Sequence, residues 1–168
     1  VTIALKAGFP AERILFTGTS VRNDELKFLV DSSITINVDS LSQLDRLLSI
    51  AVPSLLSMRV NPEIGAGHHS HVITAGKQSK FGVWGEDALK AYATAKKAGV
   101  ERFGIHMHVG SGVLDVEPYV LALEKLLSVA KQVHEQVGVN FEFIDVGGGL
   151  GVPYKPEDKE LDLTLFSD

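Results

Sequence analysis

The chain has 168 residues, about the length of one domain, and its 45% apolar and 22% charged residues are typical of a globular protein with a buried core. Its net charge of -5 argues against nucleic-acid binding, because phosphate backbones are bound by clustered Lys and Arg. The lack of cysteine excludes disulfides, thiolate nucleophiles and cysteine-bound metals, and no apolar run is long enough to predict a membrane helix. We therefore expect a cytoplasmic protein that binds a small molecule and neither nucleic acid nor a membrane.

Short runs of apolar and β-branched residues alternate with helical patterns along the chain. The predicted strands are 13–18, 33–40, 54–62, 102–111 and 141–149. The predicted helices are 24–31, 40–50, 85–99 and 115–138. The expected helix caps are Ser40 and Asp115 at the starts and Gly99 and Gly138 at the ends. Lys6 lies at the end of a further helical segment that precedes the first strand.

Alternation of strand and helix predicts a parallel sheet. Polar or glycine-rich residues follow nearly every strand, in TGTS, NVDS, RVNP, HVGS and VGGG. A (β/α)8 barrel builds its site from all of its strand ends, whereas an open doubly wound sheet uses one switch point, so the pattern favours the barrel. With five strands in the sequence, the prediction is a partial (β/α)8 barrel. The long polar connection at 61–84 is expected to be functional.

Two histidines share one face of the fourth predicted strand. Side chains alternate along a strand, so His106 and His108 point to the same side, which is the interior at the mouth of a barrel. Such a pair can chelate zinc, as in metal-dependent barrel hydrolases, but a zinc site needs further ligands. The remaining histidines are His134, in a predicted helix, and the loop residues His68, His69 and His71. For this loop cluster, solvent exposure, a ligand-facing role and metal binding all remain open.

Two glycine-rich turns favour an anion over a metal. Ser111 lies between two glycines just after His108, and Gly147, Gly148 and Gly149 follow the next strand. Turns of this kind let backbone N–H groups approach a phosphate, and two adjacent turns suggest one shared phosphate. A phosphate beside an inward-facing imidazole fits a phosphorylated aromatic cofactor such as pyridoxal phosphate. The alternative is that these glycines only relieve crowding.

Arg59 lies in the third predicted strand, on the same face as Ser57 and Asn61. A buried arginine in a barrel needs an anionic partner. That partner is either an anionic group of a bound molecule or a carboxylate in a structural ion pair, and both remain open.

The order of six motifs resembles a known family. The motifs are AGFPAERILFTG, INVDSLSQLDRL, RVNPEIGAGHH, SKFGV, GIHMHVGSG and FIDVGGGLGVPY. In this order they resemble the pyridoxal-phosphate-dependent decarboxylases of basic amino acids, whose cofactor domain is an alanine-racemase-like barrel. The resemblance covers essentially the whole chain. It implies a carboxy-lyase that uses pyridoxal 5'-phosphate and acts on a small amino acid.

The resemblance also assigns roles to individual positions. It implies that His108 stacks on the cofactor ring and that Arg59 lies beside the cofactor. The phosphate would be held by Ser111, Gly147, Gly148 and Gly149. A surrounding layer of residues would include Asn37, Ser79, Lys80 and His106. The ornithine branch of the family usually has another residue where His106 stands, so this histidine favours the branch that converts meso-diaminopimelate to lysine. Ornithine, arginine and carboxylated polyamine precursors remain alternative substrates.

The sequence departs from the family pattern at several places. Residues 19–21 read Thr-Ser-Val where many relatives have Asn and Lys, and Gly112 replaces a common Gln. The lysine that anchors the cofactor as a Schiff base has no match, because Lys6 ends a helix, and the Glu-Pro-Gly-Arg segment of the family is absent. We therefore expect residues 1–168 to be an internal fragment. It would be a partial cofactor-binding barrel domain that lacks the first strands with their lysine, the last barrel strand and the C-terminal β-domain.

On this interpretation, the chain contains no catalytic residue and no metal site, and it is inactive by itself, binding the cofactor weakly at most. The intact relative is expected to be a homodimer. Two other functions remain open. One is a non-catalytic barrel that carries pyridoxal phosphate or acts as a regulator. The other is a zinc-dependent barrel hydrolase that uses His106 and His108.

Overall fold

The computed structural model describes residues 1–64 and 81–167, and in these ranges strands and helices alternate. The strands are β1 Leu15–Thr17, β2 Thr35–Val38, β3 Leu55–Arg59, β4 Arg102–His106 and β5 Phe141–Asp145. The helices are α1 Thr2–Lys6, α2 Asn23–Asp31, α3 Leu41–Ile50, α4 Gly85–Lys97, α5 Glu117–Val137 and α6 Leu163–Ser167. A short 3-10 helix at Ala11–Arg13 connects α1 to β1.

The five strands form one parallel sheet in the order β1-β2-β3-β4-β5, which is the order of the chain. A doubly wound sheet reverses its strand order at a switch point, whereas consecutive barrel strands follow one another as they do here. The prediction of a partial (β/α)8 barrel is therefore confirmed. In the described part of the chain, β1 and β5 are the two edges of the sheet.

Helices α2 to α5 bury apolar stripes against one face of this sheet. Leu44 and Leu47 of α3 and Leu126 of α5 are at most 1% exposed, as the helical spacing of apolar residues predicts. Burial of a leucine side chain contributes about 1.5–3 kcal/mol, so these stripes account for much of the docking of the helices. The face of the sheet that the helices cover thus forms the hydrophobic core. The opposite face is available for a binding site.

Tyr92 of α4 fixes β4 and β5 relative to the helices. Its ring contacts Phe103 and Phe141 edge to face, with centroids 5.8 and 5.2 Å away. Its hydroxyl donates to the Gly104 carbonyl oxygen at 2.7 Å. A buried tyrosine that satisfies its hydroxyl in this way adds specificity to an apolar contact. These contacts hold β4 and β5 side by side, so that their polar ends lie at the same edge of the sheet.

The predicted helix caps are confirmed with one exception. The Ser40 hydroxyl accepts from the Gln43 N–H at 3.2 Å, and Gly99 and Gly138 have left-handed φ values of 103° and 68°. The prediction for Asp115 is wrong, because α5 begins at Glu117 with Val116 as its N-cap. The Asp115 carboxylate accepts instead from the Lys159 ammonium at 2.7 Å.

Of the two short terminal helices, one was predicted from the sequence and the other was not. Lys6 is exposed and lies in α1, as the sequence indicated, and α6 was not predicted. Within residues 1–64 and 81–167, none of the helices combines the length and the apolar character needed to cross a bilayer.

Candidate cofactor-binding site

The strand ends bring polar side chains together on the concave face of the sheet. In the sheet register, Asn37 is opposite Ser57, and His106 is opposite both Arg59 and Asp145. Side chains opposite each other in adjacent strands point to the same face. Four consecutive strands therefore line one polar surface, to which the turns after β4 and β5 add their backbone groups.

His106 and Asp145 form a hydrogen-bonded pair at the ends of β4 and β5. The His106 Nδ1 lies 2.8 Å from the Asp145 Oδ2, and the other carboxylate oxygen accepts from the Gly147 N–H at 2.8 Å. The hydrogen bond from His106 holds the pKa of Asp145 below its ordinary value, although burial opposes this. An ionised carboxylate only accepts hydrogen bonds, so the proton lies on Nδ1 of His106. The pair links β4 to the first residue of the glycine turn.

His108 is half-buried beside the same turn. Its Nδ1 accepts a long hydrogen bond of 3.5 Å from the Gly148 N–H. Burial lowers the pKa of His108, the positive charge of Arg59 and the neighbouring His106 lower it further, and Asp145 opposes them. The imidazole is therefore neutral at ordinary pH, with its proton on Nε2. A flat, neutral ring at the edge of a polar pocket is suited to packing against another aromatic ring.

The glycine turn after β5 packs directly against the turn after β4. Gly147 and Gly149 have left-handed φ values of 74° and 90°. A Cβ atom on Gly149 would overlap the Gly110 carbonyl oxygen, and one on Gly147 would lie 2.7 Å from the Met107 carbonyl oxygen. Only glycine permits such close contact between two backbones. The predicted adjacency of the two turns is present in the structure.

Backbone hydrogen bonds fix the two turns to each other. The Val113 N–H donates to the Gly149 carbonyl oxygen at 3.0 Å, and the Gly151 N–H donates to the Val113 carbonyl oxygen at 2.8 Å. Ser111 is exposed in the turn after β4, and Gly147 and Gly148 are exposed in the turn after β5. The two turns thus form one accessible cradle of backbone groups.

Arg59 is buried at the end of β3, and Asp39 supplies an anionic partner. The Arg59 guanidinium lies 3.7 Å from the Asp39 Oδ1, which also accepts from the Gly82 N–H at 3.1 Å. Burial raises the pKa of Asp39, and the charge of Arg59 opposes that rise. The guanidinium also lies over the ring of Phe81, 4.7 Å from its centroid. Asp39 and Phe81 therefore fix the positive charge of Arg59 beside His108.

Asn37 and Ser57 are fully buried on the concave side of the sheet. Among the residues that the structure describes, neither the amide of Asn37 nor the hydroxyl of Ser57 has a hydrogen-bond partner. An unsatisfied buried polar group costs about 1–3 kcal/mol, so these groups are expected to bind water or a further polar group. The interior below Arg59 is thus polar, as expected beneath a site for a charged molecule.

Most of the predicted site residues converge. His106, His108, Arg59, Ser111 and the glycines 147–149 lie at the ends of β3, β4 and β5, and Asn37 lies below them on β2. Ser79, Lys80 and the histidines 68, 69 and 71 lie outside the described residues. In the described ranges, no three histidine or carboxylate side chains are grouped closely enough to bind a metal ion.

Sequence reasoning missed three residues of this region. Asp39 directly follows β2, and Asp145 is the last residue of β5. A carboxylate at the end of a strand needs a cationic or hydrogen-bonding partner, which was an available signal. Tyr119 of α5, whose hydroxyl donates to the Gly148 carbonyl oxygen at 3.2 Å, gives no such signal. Its position depends on how α5 packs.

The residues that are present fit pyridoxal phosphate. A glycine cradle that a Cβ would fill suits a phosphate, because backbone N–H groups bind anions there. The neutral imidazole of His108 lies next to the cradle and suits the pyridine ring. Both groups lie at the carboxyl ends of parallel strands, where barrels build their sites.

Comparison with known proteins gives one consistent family. The model described as pyridoxal-dependent decarboxylase, pyridoxal binding domain, matches residues 1–167. The chain is 56% identical over 165 residues to the diaminopimelate decarboxylase of Methanothermobacter thermautotrophicus, covering 98% of this chain and 39% of that protein. The identity to the diaminopimelate decarboxylase of Aquifex aeolicus is 42% over 164 residues, covering 94% of this chain and 39% of the relative.

Solved structures agree with this family. The crystal structure of diaminopimelate decarboxylase from Helicobacter pylori complexed with L-lysine matches with a TM-score of 0.91 and 35% identity, covering 99% of this chain and 43% of that one. The arginine decarboxylase of Paramecium bursaria Chlorella virus, at 23% identity and a TM-score of 0.79, shares the fold. The chain spans 39% of the length of its first two relatives. The chain belongs to the pyridoxal-dependent decarboxylases, and it carries their pyridoxal-binding domain as a partial (β/α)8 barrel whose cofactor is pyridoxal phosphate.

Proposed function

We propose that this chain is the cofactor-binding part of an enzyme that decarboxylates meso-diaminopimelate to lysine. The observation that carries the proposal is the cradle of two glycine turns beside a neutral His108, in a chain 56% identical to a diaminopimelate decarboxylase. His106 supports the same substrate, because the ornithine branch of the family usually has another residue there. The activity belongs to the whole protein, since this chain spans 39% of that relative.

In this proposal each group of residues has its own task. Backbone N–H groups of Gly148 and Gly149, with the hydroxyl of Ser111, bind the phosphate. His108 packs against the ring, and the pair of His106 and Asp145 keeps the turn in place. When bound, pyridoxal phosphate supplies an electron sink for the electrons released as carbon dioxide leaves.

The charge of Arg59 has two effects in this proposal. It stabilises anionic groups at the mouth of the site, and it helps to keep His108 neutral, because a second positive charge nearby is unfavourable. Asp39, whose Oδ1 lies 3.7 Å from the guanidinium, holds this charge in place. None of the residues 1–168 is assigned to covalent attachment of the cofactor, so we expect no turnover from this chain alone.

Release of carbon dioxide by the protein as its gene encodes it tests this proposal. We expect release from meso-diaminopimelate that depends on added pyridoxal phosphate, and little release from ornithine or arginine. His108→Ala is expected to weaken cofactor binding about tenfold through loss of the ring contact. His134→Ala is the matched control, because His134 lies in α5 and its Nδ1 is 3.1 Å from the Val139 carbonyl oxygen.

The possible outcomes separate the parts of the proposal. Release from ornithine or arginine but not from diaminopimelate would contradict the substrate. No binding of pyridoxal phosphate by the wild-type protein would contradict the assignment of the site itself.

We further propose that the protein is a cytoplasmic homodimer that acts on a small amino acid and does not bind nucleic acid. The family resemblance and the net charge of -5 support this proposal.

A further inference from the structure

The N–H groups of the glycine turn differ in what they bind. The Gly147 N–H donates to the Asp145 carboxylate at 2.8 Å, so it is occupied. The Gly148 N–H makes only a long contact of 3.5 Å with His108. The Gly149 N–H has no acceptor among the residues that the structure describes. Of the three glycines, Gly149 therefore has the donor most available to an anion.

The direction of the Gly149 N–H is set by the carbonyl group before it. A trans peptide is planar, and its C=O and N–H point in opposite directions. The Gly148 carbonyl oxygen accepts from the Tyr119 hydroxyl at 3.2 Å, so it points toward α5. The Gly149 N–H consequently points away from α5. Without this hydrogen bond, the peptide between two glycines has little to prevent its rotation, because neither residue has a side chain.

Tyr119 is itself well held. Only 7% of the residue is exposed, and its ring packs edge to face on Phe166, with centroids 5.3 Å apart and planes at 84°. Burial raises the pKa of Tyr119, so the hydroxyl keeps its proton and remains a donor at ordinary pH. The residue lies in the first turn of α5, a helix that also buries Ala122 and Leu126. The hydroxyl is thus a fixed donor outside the cradle.

We propose that Tyr119 is a positioning residue for the phosphate group of the cofactor. By holding the Gly148 carbonyl oxygen, its hydroxyl turns the Gly149 N–H into the cradle, where the phosphate accepts from it. Tyr119 does not touch the cofactor and acts only through the peptide between Gly148 and Gly149. This inference rests on the proposed function, because it takes the anion to be the phosphate of pyridoxal phosphate.

A pair of ligands and a pair of variants test this role in the protein as its gene encodes it. Pyridoxal phosphate and pyridoxal share the ring and differ in the phosphate, so the ratio of their dissociation constants reports on the cradle alone. Tyr119→Phe keeps the packing on Phe166 and removes the hydroxyl. Tyr92→Phe is the matched control, because Tyr92 is also buried and also donates to a glycine carbonyl oxygen, that of Gly104, outside the site.

We expect Tyr119→Phe to weaken the binding of pyridoxal phosphate about five- to tenfold, which is the effect of one hydrogen bond. The binding of pyridoxal is expected to remain unchanged. Tyr92→Phe is expected to lower the melting temperature and to keep the wild-type ratio. A wild-type ratio in Tyr119→Phe would overturn the inference and leave the proposed function standing. A wild-type protein that binds both ligands equally weakly would instead overturn the proposed function.

A second measurement needs no variant and so does not depend on whether Tyr119→Phe folds. In the wild-type protein, the amide proton of Gly149 is expected to move downfield when pyridoxal phosphate binds, and to move little with pyridoxal. The amide of Gly147, already bonded to Asp145, serves as the internal control. A Gly149 amide that responds equally to both ligands, or to neither, would contradict the proposed role of Tyr119.

Discussion

At the scale of single residues, the site depends on which imidazole nitrogens carry protons. His106 donates from Nδ1 to a carboxylate, whereas His108 accepts at Nδ1 from a backbone N–H. The two histidines are two residues apart and look equivalent in the sequence. Their different partners fit different tasks: His106 fixes the turn, and in the proposed function His108 faces the cofactor. The sequence predicted that both face inward, but it did not reveal these partners.

The pKa of His108 is the first residue-scale prediction. Burial is the larger cause and Arg59 the next, so we expect NMR titration to give a pKa below the ordinary 6.5. Because the pKa of His108 is lower in the folded than in the unfolded protein, its contribution to the free energy of unfolding is complete above pH 6.5. This contribution is lost as the pH falls from 6.5 toward the pKa of the folded state. Arg59→Gln should raise the pKa only partly, because burial remains. A wild-type pKa at or above 6.5 would contradict this account of the site.

At the scale of elements, the sequence predicted every strand of the sheet but placed the strand ends too late. The predicted segments 102–111 and 141–149 end as strands at His106 and Asp145. Apart from His108 and Ser111, the residues that follow are apolar or glycine and look like a continuing strand. Their backbones nevertheless leave the sheet and pack on each other. Such contact between two turns depends on residues about 40 positions apart, as between Gly110 and Gly149, which no local pattern contains.

Substitution of the glycines in the turn after β5 tests this packing. Gly149→Ala places a Cβ on the Gly110 carbonyl oxygen at a φ of 90°, so we expect a loss of more than about 2 kcal/mol in the free energy of unfolding. Gly148→Ala is the control, since no atom lies within 4 Å of its Cβ position. Chemical denaturation measures both. Equal stability of the two variants would show that the turns are not packed as described.

The register between β4 and β5 is a further feature that sequence alone did not give. Pairing shifts after Phe103, so that Gly104 is opposite Phe143 instead of Glu142. This shift brings Asp145 opposite His106. A slip of one residue would turn Asp145 away from the site, because side chains alternate along a strand. The fold class follows from the sequence pattern, but this pairing needed the structure.

At the scale of the whole molecule, the chain supplies one side of a barrel and one side of its site. Its five strands follow the chain order, and the ends of β2 to β5 provide the buried charge pair together with the proposed phosphate cradle and ring contact. The order of motifs was sufficient to predict the family and the cofactor. Tyr119 could not be predicted in this way, because its hydrogen bond to the Gly148 carbonyl oxygen depends on the packing of a helix and not on a strand end.

A crystal structure of the protein as its gene encodes it, with pyridoxal phosphate bound, tests the central claim most directly. The claim is that the two glycine turns and His108 form the phosphate and ring contacts of the cofactor site. We expect phosphate oxygens at roughly 2.7–3.2 Å from the Gly149 nitrogen and the Ser111 hydroxyl, with the imidazole of His108 against the pyridine ring. Pyridoxal phosphate bound with its phosphate away from residues 147–149, or with its ring away from His108, would contradict the claim.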